Sequence, residues 1–409
     1  MTSANPASRP SLVERAQKLY PAIAERVAQV EEQRHVHEDS IAEMIDAGLT
    51  RAFQPRTYGG EEANPAEFYG AVAEIARACT STGWILMVLG VHSWELAHMS
   101  RELNDEIFGD DPTTLVSSSY NMQGNTATRV PGGFRLSGSW KSSSGIHHAG
   151  WVALGANVEG EPVAHNFLVP VENVTVVDDW YVVGLVGTGS RSVVVDDVFV
   201  PDHRAIDRDI LRSGFGPGMK DNLGPLYRVA QGLIYTSVSS APALGAGWRF
   251  YEEFKSAFGR SATVTRSLDG DRLMLTRLAE ARGNLSVAST VPQRRLQEGY
   301  EAAVEGRPMS DLEVIQAMYD ISRNGKLMIE NAASLFPTLR PNAVYQSSVM
   351  SRLYRDLMVA RNHGTANLDE RGEALAMTDL GLPGGSMALF IPPDRREAAR
   401  QRAEELGYL

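Results

Sequence analysis

Two histidines and a run of serines are the residues of this sequence best suited to chemistry. His363 precedes a Gly-Thr pair in a stretch of helical pattern, and His92 stands among apolar residues. An imidazole titrates near neutral pH and exchanges protons with oxygen atoms. The hydroxyls of Ser142, Ser143 and Ser144 can donate and accept hydrogen bonds. Together these residues predict acid–base chemistry at oxygen.

Each of these residues also has a purely structural interpretation. His363 follows a helical segment, where the helix dipole favours a histidine. A histidine in an apolar helix such as that of His92 is often a hydrogen-bonded core residue. Serines at a strand end can cap their own backbone. The choice between the two interpretations therefore depends on the helices and strands that surround these residues.

Composition excludes several classes of protein. The 409 residues carry a net charge of −11, which argues against binding to nucleic acid or to an anionic membrane surface. No apolar run approaches the ~20 residues of a membrane-spanning helix. The first ten residues are polar and lack a signal-peptide core. The single cysteine, Cys79, permits no internal disulfide and is typical of a reducing cytoplasm, which is the predicted location.

Periodicity divides the chain into three predicted domains: a helical domain at residues 1–112, a β-domain at 113–212 and a helical bundle at 213–409. The stretch from Ser81 to Met99 is apolar on all sides, which predicts an interior helix. The β-domain is predicted to be antiparallel because turn sequences separate its short strands. The predicted strands are Leu115–Tyr120, Ala127–Val130, Phe134–Trp140, Trp151–Ala156, Ala164–Val169 and Ser192–Val200. The predicted bundle helices are Leu226–Lys255, Asp271–Gly299, Ser310–Leu335, Ala343–Arg361 and Pro393–Glu405.

Familiar nucleotide and metal motifs are missing from the sequence. There is no Walker motif, CxxC pair or HExxH, and Gly187-Thr188-Gly189 is too short for a dinucleotide-binding turn. We therefore predict no nicotinamide site. His147 and His148 are adjacent, and on a strand adjacent side chains point to opposite faces. We therefore predict no metal site.

Several motifs occur in the order found in acyl-CoA dehydrogenases. Gly133-Phe134-Arg135-Leu136-Ser137-Gly138-Ser139-Trp140 resembles the first β-domain signature of that family, and Gly184-Leu185-Val186-Gly187-Thr188-Gly189-Ser190 resembles the second. The segment from Arg361 to Leu368 resembles the stretch that carries the catalytic glutamate, but His363 occupies the glutamate position. The resemblance implies an α+β fold with an N-terminal helical domain, a central antiparallel β-domain and a C-terminal four-helix bundle.

Other segments are similar to the two-component flavin-dependent monooxygenases of this superfamily. They are Ser81-Thr82-Gly83-Trp84, Gly90-Val91-His92-Ser93-Trp94, Ser117-Ser118-Ser119-Tyr120 and the stretch from Asp178 to Gly184. The resemblance implies that reduced FMN or FAD comes from a separate NAD(P)H:flavin reductase. Oxygen would bind at the flavin C4a carbon, and the hydroperoxide would hydroxylate a phenolic or polycyclic aromatic substrate. A homotetramer is also implied.

The resemblance assigns roles to individual residues. Ser144, with Ser143 as the second choice, would hydrogen-bond flavin N5, His363 would exchange the proton of the peroxide, and His92 would accept the phenol proton. Flavin contacts are implied for Trp140, Thr188, Ser190 and, at the phosphate, Arg260. At the end of the first strand, Tyr120 and Asn121 would shape the substrate pocket or simply pack.

Three alternatives remain at this point. An N-oxygenase acting on an amine or amino sugar would share the flavin chemistry and would place a carboxylate beside the substrate amine. An acyl-CoA dehydrogenase would need its glutamate on another helix, for which Glu252 and Glu253 are candidates. A non-catalytic assembly protein could have retained the fold.

Overall fold

The computed structural model describes residues 9–260, 271–339, 341–382 and 390–409, without the side chains of 258–260 and 342. Within these ranges helices precede and follow a single sheet. The helices are α1 (Leu12–Glu25), α2 (Val27–Gln33), α3 (Glu38–Asp46), α4 (Pro65–Ala78), α5 (Thr80–Leu96), α6 (Arg101–Phe108), α7 (Arg208–Arg212), α8 (Gln231–Arg260), α9 (Arg272–Val304), α10 (Asp311–Leu335), α11 (Val349–Arg361), α12 (Leu368–Asp379) and α13 (Pro393–Glu405). None of the described helices is long and apolar enough to cross a membrane.

Local capping sets the starts of the N-terminal helices. Ser11 forms a capping box with Glu14, and Asn64 caps α4 through the backbone N–H of Ala66. The side chain of His37 caps α3 by accepting a hydrogen bond from Asp39 N–H. Every residue of α5 is buried, as its uniformly apolar sequence predicts.

The eight strands form one sheet that faces these helices. They are β1 (Val116–Ser119), β2 (Thr126–Val130), β3 (Gly133–Ser143), β4 (Trp151–Val158), β5 (His165–Pro170), β6 (Thr175–Val177), β7 (Arg191–Pro201) and β8 (Ala205–Asp207). Their order is β6-β7-β3-β2-β4-β5-β8, with β1 beside β4. All six predicted strands are confirmed, while the short edge strands β6 and β8 were missed.

The sheet is mixed, so the prediction of a purely antiparallel β-domain is wrong. β1 and β2 both run parallel to β4, with Val116 opposite Trp151 and Thr126 opposite Asn157. The other pairs are antiparallel. Turn sequences identify hairpins between consecutive strands, but parallel partners need a longer crossover connection that leaves no local signal.

The C-terminal helices pack around α8. This helix contacts α4, α5, α9, α10 and α11. It approaches α4 so closely that a Cβ on Gly245 would lie 2.2 Å from the carbonyl oxygen of Ala73. The helix predicted from Ala343 begins only at Val349, and α12 was not predicted. The boundaries proposed near residues 112 and 212 stay predictions.

Candidate active site

Two antiparallel helices of the core, α5 and α8, position the candidate site. Trp84 and His92 lie eight residues apart on α5, so they are separated by about 12 Å along its axis. Polar side chains gather at both levels. We call Trp84, Ser144, Thr188 and Ser190 the hydroxyl cluster, and His92, Glu95, Tyr120 and Tyr235 the carboxylate cluster.

The hydroxyl cluster joins the ends of the two predicted β-signatures. Ser144 follows β3 just after a bulge at which Ser142 has a φ of +65°, a feature that redirects side chains. Its Oγ lies 2.7 Å from Ser190 Oγ, and Ser190 Oγ lies 2.8 Å from Thr188 Oγ1. The sequence prediction that these three hydroxyls share one place is therefore supported by their geometry.

The hydrogen bonds of the hydroxyl cluster run in one direction. Thr188 donates its hydroxyl proton to the carbonyl of Leu185, 2.8 Å away, so Ser190 must donate to Thr188. Ser144 then donates to Ser190, and Trp84 Nε1–H points to Ser144 Oγ at 3.4 Å. Ser144 Oγ therefore keeps a lone pair with which it can accept an N–H from a bound group.

His363 lies at the same level of the site as Trp84. The two rings meet edge to face, with centroids 5.1 Å apart. His363 Nδ1 lies 2.8 Å from Thr365 Oγ1, and Thr365 donates to Ser239 on α8 at 2.7 Å. These contacts anchor the ring through Nδ1 and leave Nε2 for a ligand.

The His363 imidazole is neutral around pH 7. The residue is exposed on one side. The protein packed against its other side, together with repulsion from the Arg371 guanidinium, lowers its pKa from 6.5 to about 4. A neutral imidazole can both accept and pass on a proton.

The carboxylate cluster is built on a fully buried glutamate. Tyr120 and Tyr235 both donate to Glu95 Oε2, the second at 2.7 Å. Asn166 donates to Glu95 Oε1 at 2.6 Å. Burial pushes the pKa of Glu95 upward, but His92 and the two tyrosines outweigh it, so the pKa is lowered and the carboxylate is charged.

The same contacts define which nitrogen of His92 carries the proton. Each tyrosine has one hydroxyl proton and donates it to Glu95. The hydroxyl oxygens of Tyr120 and Tyr235 lie 3.3 and 3.5 Å from His92 Nδ1, and toward this nitrogen they can therefore only accept a hydrogen bond. We infer that Nδ1 is protonated and that Nε2 holds the lone pair. Nε2 is buried and has no hydrogen-bond partner among the described residues. This nitrogen can therefore accept a proton from a group that binds beside it.

Other predicted site residues fall in different places. Trp140 is buried in the sheet core and donates to the carbonyl of Gly155 at 2.8 Å, so its predicted flavin contact is not supported. Ser143 is buried beside the hydroxyl cluster, and its hydroxyl is unpaired within the described chain. Asn121 is exposed and accepts from Gln123 N–H. Arg260 ends α8, but its side chain lies outside the described residues.

Two further predictions change with the structure. Glu252 pairs with Arg77, and Glu253 pairs with Arg249 at 2.7 Å, so neither matches a base at this site. His147 and His148 lie in a 3-10 turn rather than on a strand. The argument that their side chains must diverge is therefore wrong.

The sequence reasoning missed Glu95, Tyr235, Trp84 and Thr365 as site residues. Glu95 had a recognisable signal, because it is a carboxylate in an interior apolar helix, three residues after His92. Tyr235 carries no such signal, since only the packing of α8 on α5 brings it there. Clefts of about 800 and 530 Å³ also occur, but His92, Ser144 and His363 do not line them.

Comparisons with known proteins identify the family of this chain. Residues 13–103 match the family described as acyl-CoA dehydrogenase, N-terminal domain, and residues 237–368 match acyl-CoA dehydrogenase, C-terminal domain. The oxygenase subunit HsaA, a flavin-dependent monooxygenase of Rhodococcus jostii, is 34% identical over 91% of this chain and 98% of its own. The oxygenase component of FADH2-dependent resorcinol hydroxylase from a Rhizobium species is 30% identical over 87% and 90%.

A solved structure of a hydroxylase is also similar to this chain. The crystal structure of 3-HSA hydroxylase from Rhodococcus sp. RHA1 superposes with a TM-score of 0.88 and 31% identity, over 92% of this chain and 98% of that one. The chain belongs to the acyl-CoA dehydrogenase superfamily, in its branch of flavin-dependent monooxygenases. Its predicted fold, oxidoreductase class and dependence on reduced flavin are confirmed.

Proposed function

We propose that this enzyme hydroxylates a phenolic ring, with His92 as the base that accepts the phenol proton. The observation that carries this proposal is the buried, unpaired Nε2 of His92 beside the charged Glu95. A phenol hydroxyl is a suitable partner for this nitrogen. Loss of its proton makes the ring electron-rich and reactive toward an electrophilic oxygen atom.

Reduced flavin, when bound, reacts with O2 and supplies that oxygen atom. The hydroxyl cluster fits such a group, because Ser144 Oγ can accept the N–H at N5 while Ser190 and Thr188 hold it in place. Nδ1 of His363 is held by Thr365, so Nε2 is the nitrogen that would exchange a proton with a group bound there. We propose that Ser144 holds the bound flavin at N5 and that His363 exchanges the proton there.

Glu95 stabilises the positive charge that His92 acquires. Its Oε2 lies 3.6 Å from His92 Nδ1, and both groups are almost completely buried. A charge pair in such surroundings interacts far more strongly than on a surface. Tyr120 and Tyr235 lie between the two groups and orient the imidazole ring.

The same network favours a phenol over an amine. An N-oxygenase of the kind considered above would present a carboxylate to the substrate amine. Both oxygens of Glu95 already accept hydrogen bonds from protein side chains, Oε1 from Asn166 and Oε2 from the two tyrosines. Among the described site residues, the group left for the substrate at this end is Nε2 of His92.

We further propose that a separate NAD(P)H:flavin reductase supplies the reduced FMN or FAD and that the enzyme is a homotetramer in the cytoplasm. Relatives named as oxygenase components support the first point. Measurement of the mass in solution tests the oligomer, with a fourfold multiple of 44.6 kDa expected.

Product analysis with 18O2 tests the reaction. The enzyme is supplied with chemically reduced FMN or FAD and a panel of simple phenols, dihydroxybenzenes and matched anilines. We expect one 18O atom on the ring of a phenol and no hydroxylamine from the anilines. Hydroxylamine formation, or hydrogen peroxide as the sole oxygen product with every phenol, would contradict the proposal.

A further inference from the structure

A second group of polar side chains lies outside the active site. His35 is in the connection between α2 and α3, and Glu38 is the first residue of α3. His147 and His148 occupy the 3-10 turn that follows Ser144. Donor atoms of His35, Glu38 and His147 all lie within 4.8 Å of one another. We call these four residues the histidine cluster.

The rings of the histidine cluster face a single carboxylate. His147 Nε2 lies 3.5 Å from Glu38 Oε1, and His148 Nδ1 lies 3.3 Å from Glu38 Oε2. The ring of His35 stacks on that of His147 with centroids 4.0 Å apart. Three imidazoles thus surround one negative charge, an arrangement that resembles the ligand set of a zinc-type ion.

His148 supplies an independent indication of a ligand site. Its side chain is only 2% exposed, yet neither ring nitrogen has a hydrogen-bond partner among the described residues. The polar atom that approaches the ring is Glu38 Oε2, 3.3 Å from Nδ1. A buried polar group without a partner costs free energy, so such groups are normally satisfied by protein, water or an ion.

One ligand is already oriented for coordination. His35 Nδ1 lies 3.0 Å from the carbonyl oxygen of Val36, to which it can donate its proton. Histidines that bind metals usually donate from one nitrogen to a carbonyl or carboxylate and coordinate through the other. The bond to Val36 therefore leaves Nε2 as the nitrogen of His35 that is free to coordinate an ion.

We propose that His35, Glu38 and His147 bind a divalent transition-metal ion such as Zn²⁺, with His148 as a fourth ligand. Zinc–nitrogen bonds are about 2.0–2.1 Å, so the donors must move together by about 1 Å through side-chain rotation. Soft ions that require thiolates and hard ions that require only oxygen are disfavoured by this ligand set.

A bound ion would join the N-terminal helices to the turns that hold the flavin. Only Gly145 and Ile146 separate Ser144 from His147. On the other side, a Cβ on Gly189, next to Ser190, would lie 3.2 Å from the Cβ of His35. The ion would therefore clamp both sides of the hydroxyl cluster. This role is structural, and the oxygen chemistry does not pass through it.

Metal titration of the untagged full-length enzyme tests the proposal. Co²⁺ and Zn²⁺ are added to chelator-treated protein, and binding is followed by the visible Co²⁺ spectrum, by calorimetry and by the melting temperature. We expect one saturable site per chain at micromolar ion, a tetrahedral Co²⁺ spectrum and a higher melting temperature. His147→Ala, which alters an exposed residue, and Glu38→Gln should each weaken binding at least tenfold.

His203→Ala is the matched control. His203 is also partly buried and lies near two carboxylates, at 2.9 and 3.5 Å, but without further imidazoles. This variant should bind the ion as the wild type does. The proposal is overturned if no saturable binding occurs, if binding survives His147→Ala and Glu38→Gln together, or if His203→Ala removes it. Unchanged circular dichroism confirms that each variant is folded.

Discussion

The clearest perturbation of the proposed mechanism is Glu95→Gln, which removes the charge beside His92 and keeps the shape of the side chain. At the observed 3.6 Å, two unit charges interact by about 4.6 kcal/mol at an effective dielectric constant of about 20. If about half of the charge on His92 has developed in the transition state, the loss is about 2.3 kcal/mol, or roughly 50-fold in rate.

The assay compares two phenols of similar shape and different acidity. For an ordinary phenol, coupled hydroxylation by the Glu95→Gln enzyme should fall roughly 50-fold. For a ring-fluorinated phenol that is already ionised at the assay pH, the defect should nearly vanish, because no proton has to reach His92. Tyr235→Phe, which keeps the carboxylate charge and deletes one of its donors, should cause a smaller loss.

Two results would refute the reasoning. One is a Glu95→Gln enzyme that hydroxylates the ordinary phenol as fast as the wild type. The other is an equal defect with both phenols in a variant that melts at the wild-type temperature. The second result would mean that Glu95 supports the fold of the pocket rather than the proton transfer.

Three further predictions concern the flavin side and the sheet. The reduced Ser144→Ala enzyme should release hydrogen peroxide roughly fivefold faster in O2, because one hydrogen bond of about 1 kcal/mol is lost. Ser143→Ala should change the rate of peroxide release little. Equal effects of the two substitutions would contradict the assignment of Ser144. The pKa of His363 is lowered from an ordinary 6.5 to about 4, so its contribution to the free energy of unfolding should be constant above pH 6.5 and decline toward pH 4. Urea melts of the wild type and of His363→Gln at a series of pH values should show this decline in the wild type alone. Trp140→Phe should lower the free energy of unfolding by about 1–3 kcal/mol, because the Gly155 carbonyl loses its donor. Flavin affinity in a fluorescence titration should stay unchanged. Weaker flavin binding would restore the predicted cofactor role of Trp140.

Local signals in the sequence were sufficient for most of the fold. The capping box at Ser11 and the Asn64-Pro65 pair define the starts of α1 and α4, and uniform apolarity identifies α5 as interior. The parallel pairing of β1 and β2 with β4 was not predictable, because it depends on residues far apart in the chain. The same reason explains the missed edge strands.

The candidate site also contains residues that the sequence predicts and residues that it does not. Ser144, His92 and His363 carry residue types and motifs that a single sequence reveals. Their partners come from other elements: Tyr235 reaches His92 only because α8 packs on α5, and Asn166 reaches Glu95 from β5. The histidine cluster was missed because a strand was assumed where the chain forms a turn.

The most direct test of the central claim is a crystal structure of the enzyme with a bound phenol and reduced flavin under anaerobic conditions. The account predicts that the phenol oxygen lies within about 2.6–3.2 Å of His92 Nε2, with Ser144 Oγ at flavin N5. A phenol oxygen bound to other groups, with His92 Nε2 still unpaired, would contradict it.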